Sequence, residues 1–484
     1  MTALQQYFTA LFSSFGKILT CAIVAVLLVF TPIAQQSQAN ILESFGSFGI
    51  KEELELGKKF SILVKSRMPI IEDPEITNYF RGLLARLTEN IPPQPFPFEI
   101  NVIVQNSLNA FAVPGGYVFV HTGMLLELDH ESELAGVMAH ELAHVTQRHI
   151  ANRIEKSQKI QVMSILGMLA AAVAGTAGGG SELSSGLMTT SMAASQAALL
   201  NYSREDEREA DHMGLIYLTD AGYNPEGMVG SFEKIRKKKW ESGSNMPAYL
   251  STHPAVEERL NYLGSRIASL PADLAARQND DRKFHRVQVL VRSRYSDEKA
   301  ALAYFKKQEE SALTLLGKGI VYARMNKVKE ATAAFDKALK AAPKDYLILR
   351  EAGRFHYTKG DTNKAVMLLQ RAAVKNPNDL MTLFFYARLL NDQGDTKTAA
   401  GYYQKILKAL PEDSEVHFFY GKMLGQNGDE FKGHLHLAYS ALYRNDKKKS
   451  AYHIKKAEAL ASNQKQKDAI ELINKQRSER AEYW

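Results

Sequence analysis

The chain has 484 residues, of which 45% are hydrophobic and 23% are charged. This ordinary globular composition excludes collagen-like and largely disordered proteins, and a mean hydropathy of −0.25 argues against a polytopic membrane protein. A single cysteine, Cys21, excludes a disulfide framework. The net charge is +7, and residues 301–484 hold 32 Lys and Arg against 21 Asp and Glu. We therefore expect the C-terminal part to contact an anionic partner.

The first forty residues have the pattern of an export signal. The apolar run from Ile18 to Phe30 is shorter than the ~20 apolar residues that span a bilayer. Ser37 and Ala39 fit the small-residue pattern of a cleavage site, so residues 1–39 are predicted to be a signal peptide and Asn40 the first mature residue. An uncleaved N-terminal anchor is the alternative. Export of a chain that then has no cysteine predicts a periplasmic protein.

The next part of the chain has the pattern of an α+β domain. Apolar spacing predicts helical structure from about Ile50 to Glu89, and alternation over residues 98–104 predicts a strand. Pro-Gly-Gly at residues 114–116 predicts a hairpin turn, and a long helix is predicted from about Ser132 to Ile154. The apolar, glycine-containing stretch from Ile160 to Leu200 fits two interpretations equally well: a core helix hairpin with a flexible tip, or a mobile lid or membrane-touching element beside the active site.

A 34-residue repeat follows. Its copies align small residues at the eighth and twentieth positions and a proline at the thirty-second. Small residues let paired helices approach closely, and the proline ends the second helix of each pair. The pattern resembles the tetratricopeptide repeat, whose concave arrays are binding surfaces. Repeats are predicted to start at Ala312, Tyr346, Leu380 and, in degenerate form, Ser414.

His140, Glu141 and His144 form a His-Glu-Leu-Ala-His motif on the predicted helix. Two histidines four residues apart lie on one helix face about a turn apart, which suits two imidazole nitrogens on one Zn²⁺. Glu141 can act as general base toward a metal-activated water without ligating the metal. The placement on an amphipathic helix favours a catalytic site over a chance match.

A catalytic zinc needs a third protein ligand. Gln147 and Ile150 stand where the metzincin pattern requires Gly and His, so that class is excluded. A later acidic segment offers Glu207 and Asp211, four residues apart on one helix face. Glu207 suits a zinc ligand, and Asp211 suits an acceptor for the spare ring N–H of a ligand histidine. Glu205 stays open as an alternative ligand.

Three motifs in this order resemble the CAAX-prenyl-protease/HtpX-type zinc metallopeptidases, over about residues 50–265. The motifs are Asn109–Gly116, His140–His144 and Glu207–Asp211. The resemblance implies one Zn²⁺ per chain with His140, His144 and Glu207 as ligands and Glu141 as the catalytic residue.

His253 and Arg259 match the same family pattern further along the chain. As a candidate fourth ligand, His253 would mask the zinc in a resting state; as a candidate catalytic residue, it would steady the oxyanion. A helix-capping or core histidine is the plain alternative. Arg259 is a candidate for stabilising the oxyanion. The long insert after the zinc helix departs from the family pattern, which leaves open how the cleft is covered.

With a signal peptide and repeats, the whole chain is similar to the periplasmic β-barrel assembly-enhancing proteases of Gram-negative bacteria. The implied fold is mainly α, with an α+β zincin-type metallopeptidase domain (40–270), a linker with a candidate partial repeat (271–311), and an all-α tetratricopeptide-repeat solenoid with C-terminal capping helices (312–484). The implied function is a gluzincin-like zinc metalloendopeptidase that degrades, or helps mature, misfolded or stalled outer-membrane β-barrel proteins. The repeats would bind the β-barrel assembly machinery, and the chain would also make a peripheral membrane contact.

A physical route to such substrates exists at the predicted hairpin. An exposed edge strand there would pair with an extended substrate through backbone hydrogen bonds, with little side-chain selection. The residues predicted to bind substrate in this way are Ala110, Phe111, Ala112 and Val113.

Two other functions compete with this interpretation. The first is a tetratricopeptide-repeat chaperone or scaffold whose zinc site is masked and rarely active. The second is a membrane-embedded enzyme acting on lipidated peptides, against which the glycines and serines between Gln161 and Leu200 argue. Nucleic-acid binding is not expected, because no fold motif supports it.

Overall fold

The computed structural model describes residues 49–156, 202–241 and 248–481. The predicted signal peptide at residues 1–39 and the insert from Ile160 to Leu200 lie outside the described residues, so both stay predictions. Among the described helices, none is both long and apolar enough to cross a membrane.

The N-terminal part of the chain combines helices with one small sheet. Its helices are α1 (Ile50–Arg67), α2 (Pro74–Thr88), α3 (Thr122–Glu127), α4 (Glu131–Thr146), α5 (His149–Lys156), α6 (Arg204–Asp220), α7 (Glu226–Glu241), α8 (Ala248–Thr252), α9 (Val256–Ala268) and α10 (Ala272–Ala275). Its strands are β1 (Glu99–Ile103), β2 (Ala110–Val113) and β3 (Tyr117–His121).

The stretch from about Ile50 to Glu89, predicted to be helical, forms the two helices α1 and α2, and the break between them was not predicted by the apolar spacing. Met68 is extended, with φ −110° and ψ 142°, the backbone that a residue before proline prefers, and Pro69 follows it. Pro74 opens α2, and the Asp73 carboxylate caps that helix by accepting two backbone N–H groups. The prolines therefore override the apolar spacing.

The predicted helix from Ser132 to Ile154 is also interrupted. Arg148 has a left-handed φ of 54°, so the chain turns after α4 and α5 restarts at His149. Arg148 is held in this turn by a hydrogen bond of 2.8 Å from its Nε to the carboxylate of Glu53 in α1, and Glu53 is itself buried. The turn directs His149 back toward the end of α4.

The sheet has the strand order β1-β3-β2, which leaves β2 at one edge. β2 and β3 are antiparallel, with Ala110 opposite Val120, and the turn between them uses positive φ at Gly115 (79°) and Gly116 (90°). The predicted hairpin is therefore confirmed. β1 runs parallel to β3, a pairing that the local sequence pattern did not predict.

α4 is the central helix of this part, and its residues from Glu131 to Val145 are all buried. α6, α7 and β2 pack around it. Two of the approaches depend on glycine: an added Cβ on Gly136 would lie 2.8 Å from the backbone of Met228, and one on Gly214 would lie 3.0 Å from the backbone of His140. The side chains of α4 are consequently held among close-packed helices.

The C-terminal part is entirely helical in its described residues. Its helices are α11 (Arg282–Tyr295), α12 (Glu298–Lys307), α13 (Ala312–Arg324), α14 (Val328–Ala341), α15 (Tyr346–Thr358), α16 (Thr362–Lys375), α17 (Leu380–Asp392), α18 (Thr396–Ala409), α19 (Ser414–Gln426), α20 (Glu430–Tyr443), α21 (Lys447–Leu460) and α22 (Gln464–Ala481). α13, α15, α17 and α19 begin at the four predicted repeat starts. The fold class, an α+β domain followed by an all-α repeat solenoid, is confirmed.

A buried ionic network joins the repeats to α2. Arg350 of α15 is fully buried and its Nη1 lies 2.7 Å from the carboxylate of Glu75 in α2. The same guanidinium contacts Asp379 at 2.9 Å and Glu351 at 2.8 Å, and Arg286 of α11 contacts Glu75 at 3.0 Å. The segment predicted to be a linker thus carries helices that pack between the two parts.

Candidate metal centre

His140, Glu141 and His144 lie on α4 and are all buried. Their placement follows from helix geometry, because residues four apart share one face. His140 Nε2 and His144 Nε2 are 3.0 Å apart. The two imidazole nitrogens therefore converge on one point, as the motif predicts.

Glu207 and His253 complete this cluster from two other segments. Glu207, in the first turn of α6, places its Oε1 3.4 Å from His144 Nε2 and its Oε2 3.6 Å from His140 Nε2. His253 follows α8, and its Nδ1 lies 2.9 Å from Glu207 Oε1 and 3.2 Å from His140 Nε2. One ligand atom from each of the four residues lies within 4.8 Å of the others. Glu205, the alternative ligand, is exposed and outside this cluster.

Asp211 lies behind His140, one turn along α6 from Glu207. His140 Nδ1 is 2.9 Å from Asp211 Oδ1, so the ring can donate its N–H to this carboxylate while Nε2 faces the cluster. Burial alone would raise the pKa of Asp211, but the adjacent Arg259 guanidinium and the His140 ring hold it well below its usual range. Asp211 is therefore an anion placed to fix the orientation of His140.

Arg259 of α9 connects the two carboxylates. Its Nε and Nη2 donate to Asp211 at 2.8 and 2.6 Å, and its Nη1 lies 2.5 Å from Glu207 Oε2. The guanidinium also stacks on the ring of Phe232 at 4.2 Å. Because all its nitrogens face carboxylates, this placement favours positioning of Glu207 and Asp211 over direct contact with an oxyanion.

Burial sets the electrostatics of the three α4 side chains. It lowers the pKa of His140 to about 4, with the Arg259 charge acting in the same direction, and it lowers the pKa of His144 well below its usual value. Neutral imidazoles keep a lone pair for a metal. Burial raises the pKa of Glu141 to about 7 despite the opposing effect of His253, which suits a group that accepts and returns a proton near neutral pH.

The donor set fits a divalent metal ion. Three imidazole nitrogens and one carboxylate oxygen converge, a nitrogen and oxygen set typical of transition-metal sites in enzymes. No hydrogen bond of standard geometry reaches either Glu141 oxygen from the described residues, although His253 Nε2 lies 3.5 Å from Oε1. The Tyr249 hydroxyl nevertheless lies close enough to act as a hydrogen-bond donor that opposes the rise in the pKa of Glu141 caused by burial. A buried carboxylate beside the candidate ligands suits a base that acts on water.

Three residues at this centre were missed or set aside by sequence reasoning. His149 Nδ1 lies 2.8 Å from His144 Nδ1; the only sequence signal was a histidine just after the motif, one residue out of the metzincin register. Tyr202 stacks on His144 with ring centroids 3.7 Å apart, and Tyr249 stacks on His253 at 4.3 Å. The two tyrosines carried no local signal, because they reach the centre only through the tertiary fold.

β2, the strand predicted to bind substrate, lies beside this centre. Ala112 and Val113 line a small pocket together with His144 and Tyr202. The side chains of Ala110, Ala112 and Val113 are buried and that of Phe111 is half-buried. Any recognition at this edge would therefore use the backbone, and substrate binding by β2 stays a prediction.

The chain matches two family models along its length. Residues 72–267 match the model of peptidase family M48, and residues 316–380 match a tetratricopeptide-repeat model. Residues 72–267 are therefore similar to M48 peptidase domains. The predicted resemblance, a metallopeptidase domain combined with tetratricopeptide repeats, is confirmed, and the family together with the His and Glu cluster indicates a bound metal ion.

Several curated relatives align with this chain. A putative β-barrel assembly-enhancing protease of Vibrio cholerae is 31% identical over 62% of this chain and 62% of that protein. The β-barrel assembly-enhancing protease of Escherichia coli is 32% identical over 44% of this chain and 43% of that protein. The mitochondrial metalloendopeptidase OMA1 of Schizosaccharomyces pombe is 33% identical over 38% of this chain and 51% of that protein. The alignments thus span less than two thirds of each relative.

Proposed function

We propose that the protein is a periplasmic zinc metalloendopeptidase that degrades, or helps mature, misfolded or stalled outer-membrane β-barrel proteins. The observation that carries the proposal is the buried convergence of His140, His144 and Glu207 beside Glu141. Two relatives are named β-barrel assembly-enhancing proteases, which supports this substrate class. Export through the predicted signal peptide would deliver the protein to the periplasm.

The proposed ligands are His140, His144 and Glu207, with zinc as the metal because two imidazoles and a carboxylate suit it. When bound, the metal supplies Lewis acidity that polarises the scissile carbonyl and lowers the pKa of water. Glu141, with a pKa near 7, accepts the proton of the attacking water and returns it to the leaving amine. Asp211 holds His140 in the ligand tautomer.

His253 is the residue whose role decides how active this centre is. Its Nδ1 lies as close to His140 and Glu207 as a fourth ligand would. As a fourth ligand, His253 would occupy the position that substrate needs and would keep the peptidase inactive. Once displaced from the metal, His253 would be able to stabilise the oxyanion. Tyr249 stacked on its ring would have to move with it.

Substrate and partner recognition would be divided between the two parts of the chain. The backbone edge of β2, next to His144, would pair with an extended strand of an unfolded barrel protein. The repeats would bind the β-barrel assembly machinery. The complete burial of the cluster also favours a second function, a repeat-based chaperone with a masked and rarely active metal site.

Zinc content and casein hydrolysis of the full chain, Glu141→Gln and His253→Ala would test the proposal. Wild type should hold one zinc and cut, whereas Glu141→Gln should hold zinc and lose at least ~100-fold in rate, in line with the usual weight of general base catalysis. Greater activity of His253→Ala would assign that residue to masking. Zinc binding without cleavage by any variant, even of unfolded barrel proteins, would favour the chaperone function.

A further inference from the structure

The two histidines that α4 contributes to the metal centre have different partners for their second ring nitrogen. His140 Nδ1 faces the buried Asp211 carboxylate at 2.9 Å. His144 Nδ1 faces another imidazole, His149 Nδ1, at 2.8 Å. His149 Nε2 in turn lies 3.3 Å from a carboxylate oxygen of Glu209. The second ring nitrogen of His144, Nδ1, is therefore linked to a carboxylate through the His149 ring.

The contact between His144 and His149 is built into the fold. His149 is buried, and it faces α4 because the preceding Arg148 takes a left-handed backbone. The buried Glu53 carboxylate anchors Arg148 at 2.8 Å. Glu209 comes from α6, two residues beyond Glu207, so one helix supplies both a metal ligand and the end of this chain of contacts.

Ligation of a metal by His144 determines every proton position along this chain of contacts. His144 Nε2 faces the cluster, 3.0 Å from His140 Nε2, and must be unprotonated to bind a metal, so Nδ1 carries the proton. That N–H can donate only if His149 Nδ1 accepts. His149 then carries its own proton on Nε2, where the Glu209 carboxylate can accept it.

We infer that His149 and Glu209 form a positioning pair for His144, which fixes the tautomer and ring orientation that metal binding requires. The inference rests on the proposed function only in taking His144 as a metal ligand. Because Glu209 is half-exposed and acts through a neutral ring, its contribution to metal affinity should be smaller than that of His149. Neither residue lies among the ligand atoms. The pair therefore acts on metal affinity through the tautomer and orientation of His144.

The test measures Zn²⁺ affinity of the full chain by competition with a chromophoric chelator. We expect His149→Ala to weaken binding about 10–100-fold, the usual range for losing such a partner, and Glu209→Gln to weaken it a few-fold. Glu205→Gln removes the same charge from the same helix at an exposed position outside the cluster, and it should leave the affinity unchanged. His149→Asn, whose side-chain oxygen can replace the Nδ1 acceptor, should restore most of it.

The visible absorption spectrum of the Co²⁺-loaded protein reports the geometry of the metal ligands. A residue with a merely structural role would not change this spectrum. Loss of the His144 orientation in His149→Ala should shift its visible bands, whereas Glu205→Gln should match wild type. Unchanged Zn²⁺ affinity and Co²⁺ spectrum in a folded His149→Ala chain would overturn the inference while the proposed function stands. If Glu205→Gln and Glu209→Gln weaken Zn²⁺ binding equally, the positioning role of Glu209 is overturned. A wild-type chain that takes up no Zn²⁺ would overturn both.

Discussion

Removal of Arg350 should destabilise the contact between the repeats and α2 of the N-terminal part. Its guanidinium is fully buried and compensates three carboxylates, those of Glu75 at 2.7 Å, Glu351 at 2.8 Å and Asp379 at 2.9 Å. Breaking a buried ion pair from one side costs about 3–5 kcal/mol, because a desolvated charge loses its partner. Here that loss falls mainly on Asp379, since Glu75 keeps Arg286 at 3.0 Å and Glu351 keeps Arg294. We expect Arg350→Met to cost this amount in free energy of unfolding, since methionine keeps most of the buried volume.

Equilibrium urea unfolding followed by circular dichroism measures this loss. Arg354→Ala is the matched control on the same helix: it is 38% exposed and 3.7 Å from Glu351, so it should cost less than about 1 kcal/mol. Adding Asp379→Asn to Arg350→Met removes one of the orphaned charges and should recover part of the stability. A loss for Arg350→Met no larger than that of the control, or no coupling with Asp379→Asn, would refute the reasoning.

Two further changes test the packing of α4 and the end of the repeats. Gly214→Ala adds a Cβ 3.0 Å from the backbone of His140, so α4 and α6 must move slightly apart. The free energy of unfolding should fall by about 1–3 kcal/mol, and the zinc content should drop. An unchanged melting temperature would contradict this expectation. Burial lowers the pKa of His436 to about 3 and also lowers that of His417, whose Nδ1 lies 2.8 Å from His436 Nδ1. Both pKa values lie below the ~6.5 of a histidine in the unfolded chain. This contribution to the free energy of unfolding is therefore fully present above pH ~6.5 and is lost as the pH decreases, by roughly 1–2 kcal/mol at pH 5. In urea unfolding measured from pH 7.5 to 5, His436→Gln should flatten this dependence on pH.

Local periodicity in the sequence predicted the starts of the repeats and the helix faces that carry the candidate ligands. The 34-residue spacing placed the first helices of four repeats at Ala312, Tyr346, Leu380 and Ser414, because each repeat packs chiefly on its neighbours. The four-residue spacings within α4 and α6 placed the candidate ligands on single helix faces, and the structure brings those two faces together. Period and helix face are both read from nearby residues.

The features that were missed arise from backbone breaks and from distant contacts. Pro69 separates α1 from α2 within a stretch predicted to be helical, and the left-handed Arg148 interrupts a stretch whose apolar spacing reads as one long helix. The parallel pairing of β1 with β3 has no local signature. Arg350 reads in sequence as one more solvated cation of a basic repeat, yet the fold buries it against Glu75, which lies 275 residues away along the chain. Sequence periodicity cannot report which faces of distant helices meet.

The charges at the metal centre indicate why the site calls for a divalent ion. Glu141, Glu207 and Asp211 are three buried carboxylates, and Arg259 is the one buried guanidinium that faces them among the described residues. With all three imidazoles neutral, as metal ligation requires, the formal sum is two negative charges in a place where each uncompensated ion costs several kcal/mol. Without a metal, burial disfavours the charged form of His253, but the Glu207 and Glu141 carboxylates outweigh this effect and raise the pKa of His253, so a proton on that ring offsets part of the charge. Part of that cost is visible in the pKa of Glu141, which burial raises to about 7. A monovalent ion would leave one charge uncompensated, whereas a divalent cation at the cluster of His140, His144, Glu207 and His253 would balance the site and let Glu141 stay ionised.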